Sequence, residues 1–384
     1  MLSFICKQYE GVGEIHVCFD IYSETSLKFN ERQRRGGIET EFLITGPDQA
    51  PKQPNEALLK NGSFKNELGK FLLKEWQKES LQVYLQNKLL FVSHGGHCLK
   101  IHGKDVSYPT NLQGTHSEAD TLVAYHANAS DGRIVIRATD TDVLIILLGM
   151  LAKHQEQEHP VKYENITMDV GTGNHQRYID VSQLFVALED KCAGINSSLL
   201  GLHSFSGSDY TSSFYRKGIL MPFKLLIDKE MGGDWIQTFS EMAKPGFNNQ
   251  KVLENFVCAL YGMKHSNEIN TVRQIKLRNL MKSSKSSSNK MKKVDCGLLP
   301  PCQKVLELKI KRSHMIARFW FNADQPNPSM GLNALNFGWV QKENILFPKW
   351  YDGSSLPSAE DLETSDGDEI GSDSDDETLE VEAE

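Results

Sequence analysis

No apolar run in the 384 residues reaches the roughly 20 that a membrane-spanning helix needs. The opening Met-Leu-Ser-Phe-Ile-Cys has no basic stretch leading into a hydrophobic block. Neither a membrane protein nor a secreted one is implied. Cysteine is sparse: Cys6, Cys18, Cys98, Cys192, Cys258, Cys296 and Cys302 are odd in number and scattered, suggesting neither a disulfide framework nor a zinc module. Gly171-Thr172-Gly173 lacks the third glycine and the helix of a dinucleotide loop, so it reads as a turn. His94-Gly95-Gly96-His97 likewise reads as a turn between two strands rather than a metal cluster.

A net charge of −8 conceals an uneven distribution. Residues 358–384 hold thirteen Asp and Glu and no Lys or Arg, so setting those thirteen charges aside turns −8 into +5 for the remainder. The folded part is thus mildly basic, compatible with nucleic acid, while the tail is expected to be disordered and suits basic proteins. Lys282 to Lys293 is Ser- and Lys-rich; it reads as a flexible loop that would double as a nuclear import signal or a phosphate patch, and a nuclear location is favoured over a cytoplasmic one.

The chain is organised around residues 133–148. Ile134 to Ile136 is a β-branched run of the kind a buried parallel strand shows, and the apolar run from Val143 is a second buried element. Between them stand Asp140 and Asp142. Carboxylates where a central strand ends lie at the edge where open α/β sheets place their sites, and hard divalent cations prefer oxygen ligands. Either aspartate also suits the N-cap of the following helix.

Upstream, Glu14 to Asp20 alternates like a strand ending in an acid, with Arg32, Arg34 and Arg35 behind it; guanidinium groups suit phosphate through bidentate donation. Residues 45–62 read as a connector. Ser63 is placed to cap a helix with Phe64, Leu68, Phe71, Leu72 and Trp76 on one face. Ser117 with Asp120 fits a capping box; Glu118 and Asp120 share a site only if the helix starts between them. Helical patterns fill the second half, and the segment from Gly338-Trp339 to Trp350-Tyr351 is expected to pack back on the core.

Asp20, Glu118, Asp120, Asp140, Asp142 and Asp209 each fall at a predicted strand end or helix start. This spaced series resembles the flap endonuclease family within the PIN-like nucleases. Phe19-Asp20 with Ser26-Leu27-Lys28 and Glu31-Arg32-Gln33-Arg34-Arg35 is similar to its second acidic motif. Glu118-Ala119-Asp120 is similar to its Glu-x-Glu motif, Asp140-Thr141-Asp142 to its Asp-x-Asp motif, and Gly207-Ser208-Asp209-Tyr210 to its Gly-Ser-Asp-Tyr motif. The whole chain also resembles a set of animal proteins, derived from mobile elements, that carry such a core.

The resemblance implies an α/β fold with a PIN-like, mainly parallel sheet flanked by helices and followed by a helical extension. It divides the chain into a core over 1–220, a helical extension over 221–270, a flexible basic loop over 271–296, a Trp-rich segment over 297–356 and an acidic tail over 357–384. Met1 to Gly13 hold no acid except Glu10, so the core reads as N-terminally incomplete, without the family's first acid-bearing strand. The implied activity is structure-selective, 5′-nuclease-like cleavage of DNA or RNA with two Mg²⁺ or Mn²⁺ ions. Glu118, Asp120 and Asp140 would hold one ion, Asp142 and Asp209 the other, and Asp20 would help through water. Arg32, Arg34, Arg35 and Lys217 would contact phosphate. The rival expectation is a catalytically inactive nucleic-acid-binding or protein-interaction protein derived from such a nuclease.

Overall fold

The computed structural model describes residues 1–22, 26–28, 41–50, 54–158, 160, 162–228, 230, 232–285, 295–354 and 356–357. Arg32, Arg34, Arg35, the acidic tail and residues 286–294 of the basic stretch lie outside the described residues.

The chain starts with α1 (Leu2–Gln8) and β1 (Glu14–Cys18). After α2 (Asn55–Lys60), α3 (Gly62–Glu75) and the single turn α4 (Glu79–Gln82) come β2 (Leu89–His94), β3 (His97–His102) and β4 (Asp105–Ser107). These strands form one sheet in the order β1-β2-β3-β4, with β1 parallel to β2 and the later pairs antiparallel. Gly95 and Gly96 take φ of +64° and +84°, which lets a two-residue turn join β2 to β3. Leu72 and Trp76 of the α3 region pack with Leu85, Leu90, Val92, Leu99 and Ile101 in a core of their own. Asn61, rather than Ser63, caps α3: its side chain accepts from the Phe64 N–H at 3.1 Å.

Next follow α5 (Ala119–Ala129), β5 (Gly132–Arg137), α6 (Thr141–Glu156), β6 (Tyr163–Val170) and β7 (Arg177–Asp180). The second sheet runs β5-β6-β7, with β5 parallel to β6 and β7 antiparallel. Helices α7 (Val181–Lys191), α8 (Ile195–Ser206), α9 (Leu220–Leu226), α10 (Gly232–Met242), α11 (Gln250–Leu260), α12 (Ile269–Lys285) and α13 (Gln303–Phe321) complete the body. A hairpin of β8 (Trp339–Lys342) and β9 (Ile345–Pro348) closes the described fold. Helix α8 lies buried at the centre. Gly201 permits its contact with α10, for a Cβ there would stand 2.2 Å from the Phe239 carbonyl oxygen.

The fold is α/β, but the single, mainly parallel sheet is corrected. The described strands form sheets of four, three and two strands, in which β1–β2 and β5–β6 are parallel and the remaining pairs antiparallel. Tight turns before β3 and β7 allow only antiparallel pairing. The expected burial of β5 is also corrected: among the described residues it pairs with β6 alone, and Val135 is 47 % exposed. The division at 220 does not separate two cores, since one cluster runs from Ala124 through Phe239 and Phe256 to Ala323. Nor does a loop begin at 271. Helix α12 continues to Lys285 because Ile269, Val272 and Leu277 are buried at helical spacing, and that apolar stripe outweighs the Ser and Lys content. The connector over 45–62 contains α2.

The Trp-rich segment packs back as expected. Buried Arg312 of α13 donates to the carbonyl oxygens of Gly338 at 3.3 Å and Lys349 at 3.1 Å. Just past α13, buried Asp324 meets Lys153 Nζ at 2.6 Å and His154 Nε2 at 3.4 Å, both from the end of α6. Burial alone would raise the Asp324 pKa, but the bonds from His154 and Lys153 hold it below the ordinary carboxylate value.

Candidate metal centre

Each site acid sits where a regular element begins or ends. Asp20, two residues beyond β1, accepts the Ala119 N–H on Oδ1 at 2.6 Å and the Tyr22 hydroxyl on Oδ2 at 3.0 Å. It therefore satisfies an otherwise orphan amide at the start of α5, while Glu118 occupies the N-cap position, its carbonyl accepting the Leu122 N–H at 3.2 Å but its side chain making no cap bond. The capping box on Ser117 is corrected accordingly, and α5 does begin between Glu118 and Asp120. Asp140 is the N-cap of α6, its Oδ1 accepting the Asp142 N–H at 2.9 Å. The cap reading is thus correct without removing the carboxylate from the site.

One oxygen each from Asp120, Asp140 and Asp142 lies within 4.8 Å of the others. Beside them Lys28 Nζ, itself buried, meets Glu118 at 2.7 Å, Asp120 at 3.4 Å and Asp209 at 3.6 Å, and stands 4.8 Å over the Tyr210 ring. Buried His203 of α8 places Nε2 2.7 Å from Asp142 Oδ1 and stacks on Trp320. The grouping differs from the expected split into two ligand sets: Asp120, Asp140 and Asp142 form the triad, Glu118 and Asp209 gather on an ammonium, and Asp20 braces a helix start. Lys217 stands over the Tyr261 ring at 4.7 Å.

Lys28, His203 and Tyr210 are site residues that sequence reasoning did not assign. Lys28 lies within a quoted motif and Tyr210 beside Asp209, yet their roles depend on partners far away in the chain, which no local pattern encodes. Arg137, three residues before Asp140, is engaged elsewhere: it donates to buried Asp169 at 2.8 Å and to the Gly171 carbonyl.

Burial raises the Asp120 pKa to about 7, with Lys28 opposing and Glu118, Asp140 and Asp20 reinforcing the rise. Burial works against the Lys28 ammonium, but the Tyr210 side chain, as its phenolate at high pH, and the Glu118 and Asp120 carboxylates outweigh it and hold its pKa above the ordinary lysine value. Burial and Glu118 push Tyr210 well above its usual value, so it remains a neutral phenol at pH 7. Because the folded Asp120 keeps its proton up to about 7 and the unfolded one releases it near 3.8, stability from this group is lost as pH rises through that window. In chelator, urea unfolding should show the stability of the parent relative to Asp120→Asn to be greater at about pH 5 than at about pH 7.5, a comparison from which the buried His116 and His126, whose lowered pKa values favour the fold as pH rises, cancel; saturating Mn²⁺ should reverse the order by favouring the ionised triad. An unchanged order with Mn²⁺ would count against a metal at Asp120.

Three carboxylates at this spacing present hard oxygen donors, and together they can hold a metal ion. No family model, curated protein or solved structure matches the chain.

Proposed function

We propose that the chain is a metal-dependent nuclease with a PIN-like, flap-endonuclease-like core, hydrolysing phosphodiester bonds in DNA or RNA with Mg²⁺ or Mn²⁺, two ions in the working state. The observation that carries this reading is the convergence of Asp120, Asp140 and Asp142, which come from the starts of two helices. Like charges so close repel unless a cation or a proton joins them, and the raised Asp120 pKa is that repulsion added to burial. Bound cations would activate water and neutralise the leaving oxygen. Asp120, Asp140 and Asp142 would supply ligands, Glu118 and Asp209 would join them, and Asp20 holds the α5 start to which Glu118 and Asp120 belong. His203 orients Asp142. The acid motifs support a nucleic-acid substrate, and the basic stretch about Lys282–Lys293 supports a nuclear site of action.

A second reading, an inactive nucleic-acid-binding protein descended from such an enzyme, is favoured by Lys28, whose ammonium already compensates Glu118, Asp120 and Asp209. The test is cleavage of a labelled 5′-flap and a labelled single strand in Mn²⁺ and in chelator, with binding measured in parallel. Metal-dependent cleavage is expected. Tight, salt-sensitive binding without cleavage in any divalent ion would establish the second reading, and absence of both would sink the two together.

A further inference from the structure

The turn that follows the Asp209 loop is basic and apolar at once, and most of it is exposed. Tyr215, Arg216, Gly218, Ile219, Leu220 and Met221 are exposed, Ile219 at 56 % and Leu220 at 63 %. Arg216 and Gly218 both hold positive φ, +56° and +58°, so the backbone turns tightly here. Arg216, Lys217 and Lys224 carry the charge, and no Asp or Glu lies between Asp209 and Asp228. Consecutive apolar side chains at this exposure, edged by cations, mark an interaction surface rather than ordinary scatter.

We infer that the occupant of this turn is the chain's own acidic segment, residues 358–384, docked in cis and competing there with polyanions. Charge complementarity is the first ground: the segment brings thirteen carboxylates and no cation to a stretch that carries cations and no carboxylate. The second is its pattern, in which Leu362, Ile370, Leu379 and Val381 alternate with acids, as the exposed Ile219, Leu220 and Met221 require of a partner. Reach is the third. Tyr215 lies against Gly297, where a Cβ would stand 3.3 Å from its ring, and Lys304 at the start of α13 stands 5.9 Å over the Tyr351 ring. Residues 297–304, about 25 Å of chain at most at 3.5 Å per residue, therefore connect the turn to Tyr351, and about 21 Å more at most leads from Tyr351 to Pro357. The 27 residues after Pro357 extend to as much as about 90 Å on the same measure, more than that path requires. Covalent attachment makes the encounter intramolecular, so weak individual contacts suffice at an effective concentration of the order of millimolar.

The competition with polyanions rests on the nucleic-acid reading above; the docking does not. Zero-length carboxylate-to-amine crosslinking of the full chain, without nucleic acid and read by mass spectrometry, measures the docking alone. Links from the tail to Lys217 and Lys224 are expected, in a yield independent of protein concentration and abolished by salt of about 1 M. Links confined to Lys290, Lys292 and Lys293, links only between molecules, or no tail links at all would overturn the inference. The competition is then read with a 20-nucleotide single strand as probe. A full chain with the thirteen tail acids changed to amides should bind it about 10-fold more tightly at low salt, and that gain should vanish when Arg216→Gln, Lys217→Gln and Lys224→Gln are added. The same gain in both backgrounds would mean general repulsion by the tail, and would overturn occupancy of this turn.

Discussion

Asp140→Asn is expected to keep the fold and lose the chemistry, with cleavage in Mn²⁺ slower by at least about 10²-fold, the scale on which removing one transition-state-stabilising group acts. Asparagine caps a helix as well as aspartate does, so the bond to the Asp142 N–H survives and α6 still starts at Thr141. What goes is one negative charge from the triad with Asp120 and Asp142. Asp140→Ala removes both and should add a stability loss of about 1 kcal/mol from the missing cap. The pair of variants separates the two roles. If Asp140→Asn cleaves like the parent while Asp140→Ala is unstable, Asp140 is only a cap and the metal reading fails at this residue.

The second large effect is on stability, far from the acids. Asp324→Ala should cost about 3–5 kcal/mol, because it leaves the Lys153 ammonium buried without its carboxylate. Lys153 Nζ would retain only the Phe321 carbonyl at 3.1 Å among its described hydrogen-bond partners, and His154 would keep the Tyr163 hydroxyl at 3.2 Å. The lowered pKa of Asp324 fixes the sign of the pH effect. Its contribution is present above the unfolded carboxylate pKa and is lost as pH falls through the still lower folded value, so parent and variant should converge in strong acid. Urea unfolding across that range checks this, and a variant within about 1 kcal/mol of the parent at neutral pH would show that the pair does not hold α6 to the end of α13.

Most of the elements could be read locally. The run from Val143 became α6, Glu14 to Cys18 became β1, and the glycine turns at 95–96 and 171 fell where the chain reverses. These follow from side-chain period and from the φ angles that glycine allows, both properties of a few neighbouring residues. The starts of α3 and α5 were found to within two residues, but their caps were misassigned. Ser63 and Ser117 have the right chemistry, yet Asn61 caps α3 and the amide at the start of α5 is taken by Asp20, a residue 99 positions earlier in the chain. The extent of α12 was underestimated because Lys and Ser suggest a loop when counted, whereas Ile269 and Val272 need a core to lie against before their spacing means anything.

By itself the sequence determined which acids stand at element ends, and that Asp140 and Asp142 flank the first turn of a helix, since spacing and capping act over a few residues. It also determined the separation of charge between the body and the tail. Only the tertiary structure decided that Asp120 joins Asp140 and Asp142, that Glu118 and Asp209 gather instead on Lys28, and that His203 holds Asp142. Those choices are contacts between residues tens of positions apart, and they depend on how sheets and helices pack around shared apolar cores, which no window of the chain contains.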